Sequence, residues 1–219
     1  MEKKKFDVGK YIIVFFLTLL IFFAGFLASY FLNQERISNL SQSQQDLNLD
    51  LLSLETQFSV LKEAPCDKLS EATLTLEIYN TFQKLEYISQ NFGKNNPDFI
   101  RLKKYYSLLE LKHWMLLKKA VENCNWNYVF ILYFYSEEKD CPDCQNQGTI
   151  ISYLRDKYYF VRTYSFDWDL ELSALDSLKS IYSLQKDMPI LIINGEVYHG
   201  FKTKEELQEI ILSMSKKSD

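Results

Sequence analysis

The run Cys141-Pro142-Asp143-Cys144 has the residue types and the spacing to do chemistry. A cysteine thiolate is both a nucleophile and a metal ligand, so CxxC reads either as a thiol–disulfide exchange centre or as half of a zinc site. Exchange needs an attacking thiolate and a second thiol near enough to resolve the mixed disulfide. Two intervening residues on the first turn of a helix bring the sulfurs together and leave the first at the exposed end. Cys141 is therefore assigned as nucleophile and Cys144 as resolving thiol. The free N–H groups and positive end of a helix favour a thiolate there, and Pro142 suits the first helical position.

The flanking elements supply that geometry. Tyr128 to Tyr135 is a continuous β-prone run, read as a buried central strand. Ser136 to Asp140 form a charged loop, and a helical stretch through Ile150, Ile151, Leu154 and Tyr158 follows the motif. Strand-like Phe160 to Phe166 and helix-like Leu172 to Leu184 come next. Pro189 then opens a strand, and Asn194-Gly195 is a strong hairpin signal. Thr203 with Glu206 forms a capping box for a last helix. The predicted order is strand, helix, strand, helix, strand, strand, helix. A CxxC at a strand-to-helix junction favours redox chemistry over a zinc site built from all four cysteines.

These features together resemble the thioredoxin superfamily over Tyr128 to Met214, within a domain spanning 127–219. Cys141-Pro142-Asp143-Cys144 is similar to that family's redox motif, Met188-Pro189 to its cis-proline position, and Ile190 to Gly200 to its closing hairpin. The resemblance implies a cis Pro189 lying against the cysteine pair, with Met188 offering backbone groups to a bound peptide. It implies no metal and no organic cofactor. Thioredoxins proper carry a buried aspartate in the strand before the motif; here Tyr133 is the nearest equivalent, so that proton acceptor is not carried over. The inner pair is Pro142-Asp143 instead of Gly-Pro or Pro-His. A carboxylate at Asp143, with Glu137, Glu138 and Asp140 nearby, opposes a thiolate at Cys141. A reductase or isomerase is thus expected more than a strong oxidase.

The other two cysteines bracket a helical hairpin over 64–126. One helical stretch runs to about Phe92, with Leu69, Ala72, Leu76, Tyr79, Phe82 and Leu85 as its buried side. Gly93 to Pro97 signal a turn, and a second helix runs from Asp98 to about Glu122 with Leu102, Tyr105, Leu109, Leu116 and Ala120 inside. The sequence midpoint of Cys66 and Cys124 is Asn95, in that turn, so the two cysteines meet at the open end. A structural disulfide there closes a loop worth about 4 kcal/mol in the chain-entropy model.

Upstream, 11–32 reads YIIVFFLTLLIFFAGFLASYFL without a charge. About 20 apolar helical residues cross the ~30 Å hydrocarbon core. Lys3, Lys4, Lys5 and Lys10 precede the run, so 1–10 is read as a cytoplasmic tail and everything after Asn33 as extracytoplasmic. An uncleaved anchor is preferred to a signal peptide because the apolar stretch is long and its cleavage site poor. In 33–63 an apolar seam at Ile37, Leu40, Leu47, Leu51, Leu54, Phe58 and Leu61 follows heptad spacing with Gln44 in it. The seam is read as packing on the chain's own next helices, with a parallel homodimer through 37–61 as the alternative.

Composition narrows the rest. Hydrophobic residues at 47% and aromatics at 16% supply a real core, and a net charge of −4 argues against a nucleic-acid partner. The expectation is an α/β chain with a helical hairpin and a membrane anchor. Cysteine-containing proteins are its expected substrates, and a membrane electron carrier is a candidate partner. The alternative is a catalytically silent thioredoxin-like binding or chaperone module on a helical stalk. His113 and His199 are read as packing and as a surface or structural residue. Trp126 and Trp168 are read as core or groove rim, and the lysines from Lys103 to Lys119 as a solvated helix face.

Overall fold

Continuous apolar runs in the two central strands bury both of their faces, and the sheet is built around them. A computed structural model describes residues 12–13, 15–27, 52–53, 55–61, 63–66, 72–137 and 139–216. The chain divides into two units, 1–57 and 58–219.

In the first unit, 12–13 and 15–27 are helical, and large apolar side chains such as Phe16, Leu20 and Phe22 are exposed along them. Among the described residues no helix is long and apolar enough to cross a membrane. Positions 11, 14 and 28–32 of the expected anchor lie outside the described residues, as do 33–51 of the heptad segment.

The second unit is mixed α/β. Its elements are α1 (Ala72–Phe92), α2 (Pro97–Cys124), β1 (Val129–Tyr135), α3 (Cys144–Lys157), β2 (Val161–Asp167), α4 (Ser173–Ile181), β3 (Ile190–Ile193), β4 (Glu196–His199) and α5 (Lys204–Lys216). From β1 onward the order matches the one read from the sequence. The sheet order is β2-β1-β3-β4, with β1 parallel to β2 and antiparallel to β3, and β3 antiparallel to β4. Asn194 and Gly195 both take positive φ (46° and 95°), the two-residue hairpin geometry that Asn-Gly favours. Asn194 Oδ1 also accepts the Phe130 N–H at 2.8 Å, tying the turn to the central strand. Thr203 N–H donates to Glu206 Oε2 at 2.8 Å and Glu206 N–H to Thr203 Oγ1 at 3.3 Å, completing the capping box.

Period-2 alternation on β1 splits the core. Val129, Ile131 and Tyr133 face one cluster with Cys141, Cys144, Ile151, Leu154 and Leu207, while Phe130, Leu132 and Phe134 face another with Leu117, Phe166 and Leu175. The hairpin differs from its sequence pattern. In α1, Leu76, Tyr79 and Phe82 are exposed and Thr81 is buried, because the helix packs mainly on α2 and only part of its apolar stripe, such as Phe82 against the Tyr106 ring, meets it. Within this unit Phe58 and Leu61, the last members of the heptad seam, pack on Leu116 of α2, on the chain's own helix.

Candidate active site

Cys141 and Cys144 form a disulfide with an S–S distance of 2.02 Å. They sit where β1 gives way to α3, in the turn after the 136–140 loop. Glu137 C=O accepts the N–H groups of Asp140 and Cys141, both at 2.9 Å, and fixes that turn. The helix starts at Cys144 with Asp143 as its N-cap, so Pro142 precedes the helix instead of occupying its first position. The Asp143 side chain makes no capping hydrogen bond. Cys141 is 2% exposed and Cys144 5%, where the spacing predicts an exposed first cysteine; both are packed into the core. Both belong to the core cluster with Val129, Ile131 and Tyr133, and Met188 packs against that cluster. The Met188–Pro189 bond is cis. Cys66 and Cys124 form a separate disulfide at 1.94 Å, at the open end of the hairpin. Among the described residues no group of three or more His, Cys, Asp or Glu side chains is gathered to hold a metal.

Tyr133 lies beneath α3. Its hydroxyl donates to the Cys144 C=O at 2.5 Å, and burial pushes its pKa above the ordinary tyrosine value. A Cβ on Gly148 would sit 3.6 Å from the Tyr133 ring, an ordinary contact between helix and strand.

A cleft of about 850 Å³ opens onto the pair. Cys141, Pro142 and Cys144 line one side, and the tip of the hairpin, including Lys94, Phe99, Ile100 and Lys104, lines another. This meeting of hairpin and disulfide was not read from the sequence. The reading of the lysines as one solvated face is corrected at Lys103, whose side chain is mostly buried, pairs with Asp167 and lies 5.5 Å from the Tyr135 ring centre. The helical spacing explains it: Phe99, Lys103, Tyr106, Glu110, His113 and Leu117 alternate steps of four and three and form one inward stripe. Polar members of that stripe meet β2 in reversed order. Lys103 meets Asp167, the Ser165 N–H donates to Glu110 Oε1 at 3.4 Å, and His113 Nδ1 lies 2.9 Å from the Tyr164 hydroxyl. Since β2 is the sheet edge, Glu110 covers a backbone donor that would otherwise be unpaired. Burial pushes the Glu110 carboxyl up to about 8, opposed by the Ser165 N–H and by a hydrogen bond with Tyr106.

The carboxylates around the motif are partly matched. Lys186 Nζ lies 2.8 Å from Asp169 Oδ1 and 3.4 Å from Asp140 Oδ2, and Ser136 Oγ donates to Asp169. Hydrogen bonds from Lys186 and Ser136 hold Asp169 below its usual range. Asp140 is thus offset by a cation that the sequence reading had not paired with it, and Glu138 lies outside the described residues. His199 is exposed on β4, and Trp126 and Trp168 pack at the rim of the second core cluster.

Comparison with protein-family models finds none that matches this chain, and comparison with curated proteins finds no match either.

Proposed function

We propose that this chain is a thioredoxin-like thiol–disulfide oxidoreductase. The observation that carries the reading is a disulfide formed within a CxxC, at a strand-to-helix turn, on the lining of an open cleft. In the reduced state the Cys141 thiolate attacks one sulfur of a substrate disulfide, and the other substrate sulfur leaves as a thiolate. Cys144 loses its proton to solvent and attacks Cys141, and the first substrate sulfur leaves in turn. Two electrons pass to the substrate, and the Cys141–Cys144 disulfide is restored. Pro142 and Asp143 tune the pair, and Met188 and Pro189 stand by resemblance at the peptide-binding position. No metal or organic cofactor takes part.

The Asp143 carboxylate, which makes no capping hydrogen bond, disfavours a thiolate at Cys141, so the protein acts as a reductase or isomerase more than as a strong oxidase. The exposed apolar residues of 12–13 and 15–27 support an anchor at 11–32, and the lysines that precede it favour a redox domain outside the cytoplasm. Full-chain Cys144→Ser should accumulate a mixed disulfide with cysteine-containing protein substrates, and Cys141→Ser should not. An equal yield from both variants would contradict these roles.

The near-complete burial of Cys141 favours one second reading, a silent thioredoxin-like module that binds without exchange. Replacing both Cys141 and Cys144 with Ser separates the two, because only the oxidoreductase loses function.

A further inference from the structure

We propose that the hairpin tip is the specificity wall of the redox cleft, selecting an extended cysteine-bearing peptide with acidic side chains beside its cysteine. This rests on the exchange reading above and adds the class of substrate. Volume is the first argument. About 850 Å³ stands near the top of the ~300–1,000 Å³ range of small-ligand sites, which suits several residues of extended chain better than a lone small thiol.

Charge is the second. Of the charged groups on the lining, Lys103 pairs with Asp167, Asp169 with Lys186, and Glu137 with Lys139 at 3.4 Å. Lys94, Lys104 and Glu171 have no ion-pair partner among the described residues. The two cations stand on the hairpin, beside buried Phe99 and half-exposed Ile100, so that wall offers apolar contact and positive charge together.

Rigidity is the third. The Cys66–Cys124 disulfide closes the far end of the hairpin, and Lys103 and Glu110 tie α2 to the edge strand. The part of α2 that carries Phe99, Ile100 and Lys104 is therefore held against the sheet edge before substrate arrives.

Reduced full-length protein would be mixed with two peptides of equal length, each with one internal disulfide, flanked by Glu in one and by Lys in the other. The acidic peptide should be reduced about tenfold faster at low ionic strength, a gap that narrows as salt screens the cleft. Lys94→Glu combined with Lys104→Glu should reverse the preference, and the milder Lys94→Gln with Lys104→Gln should abolish it. Lys118→Glu, on α2 but outside this cleft, should leave the ratio as in the unmodified chain. Equal rates for both peptides, or a ratio that ignores the charge reversal, would overturn the proposal while leaving the exchange reading intact. Failure to reduce either peptide would overturn both.

Discussion

Tyr133 reaches Cys144 from the central strand β1, and it does so as a hydrogen-bond donor. Its hydroxyl holds the Cys144 carbonyl at 2.5 Å in a buried setting. Tyr133→Phe keeps the ring and removes the bond, so it should destabilise the oxidised protein by about 1 kcal/mol in urea unfolding. An unchanged midpoint would show that the bond contributes nothing. Glu110 is the second informative residue. Its folded-state pKa of about 8 lies above the ordinary 4.5, so between those values the native state binds more protons than the unfolded chain. Stability should then fall as pH rises from about 4.5 to about 8, by up to about 1.4 kcal/mol per pH unit. Glu110→Gln should flatten that slope. A slope identical in the variant would assign the pH dependence to other groups.

At the scale of elements, the hairpin carries the next prediction. Removing the Cys66–Cys124 link by Cys66→Ser with Cys124→Ser opens a loop with a sequence separation of 58 and should lower stability by about 4 kcal/mol. Urea unfolding of the double variant would show it, and a loss well under 1 kcal/mol would mean that packing alone holds the open end. The α/β half was legible because its signals are local: a β-prone run before CxxC, Asn194-Gly195 in a hairpin, and Thr203 with Glu206 at a helix start. The hairpin was legible as two helices and a turn, and illegible in its packing. Leu76, Tyr79 and Phe82 have the spacing of a buried stripe, yet burial depends on what lies opposite, and α1 has mainly α2. The reverse held on α2. Lys103 reads as a solvated charge because only the sheet edge, formed far along the chain, supplies its partner, as it does for Glu110. Their place on the same four-three spacing as Phe99 and Leu117 was the available signal.

The whole molecule joins three tasks along one chain in this account: an apolar N-terminal helix, a hairpin closed by one disulfide, and an α/β unit holding another. The two disulfides should behave differently. Cys66–Cys124 braces the open end of a hairpin, whereas Cys141–Cys144 lies on the lining of a cleft. The direct measurement is a redox titration of the full chain with mass-spectrometric mapping of each pair at every potential. Cys141–Cys144 should reduce and reoxidise as a reversible two-electron couple, well below the roughly −120 mV of strong periplasmic oxidants, while Cys66–Cys124 stays closed. A Cys141–Cys144 bond that opens only together with Cys66–Cys124, or that shows no reversible couple, would contradict the account.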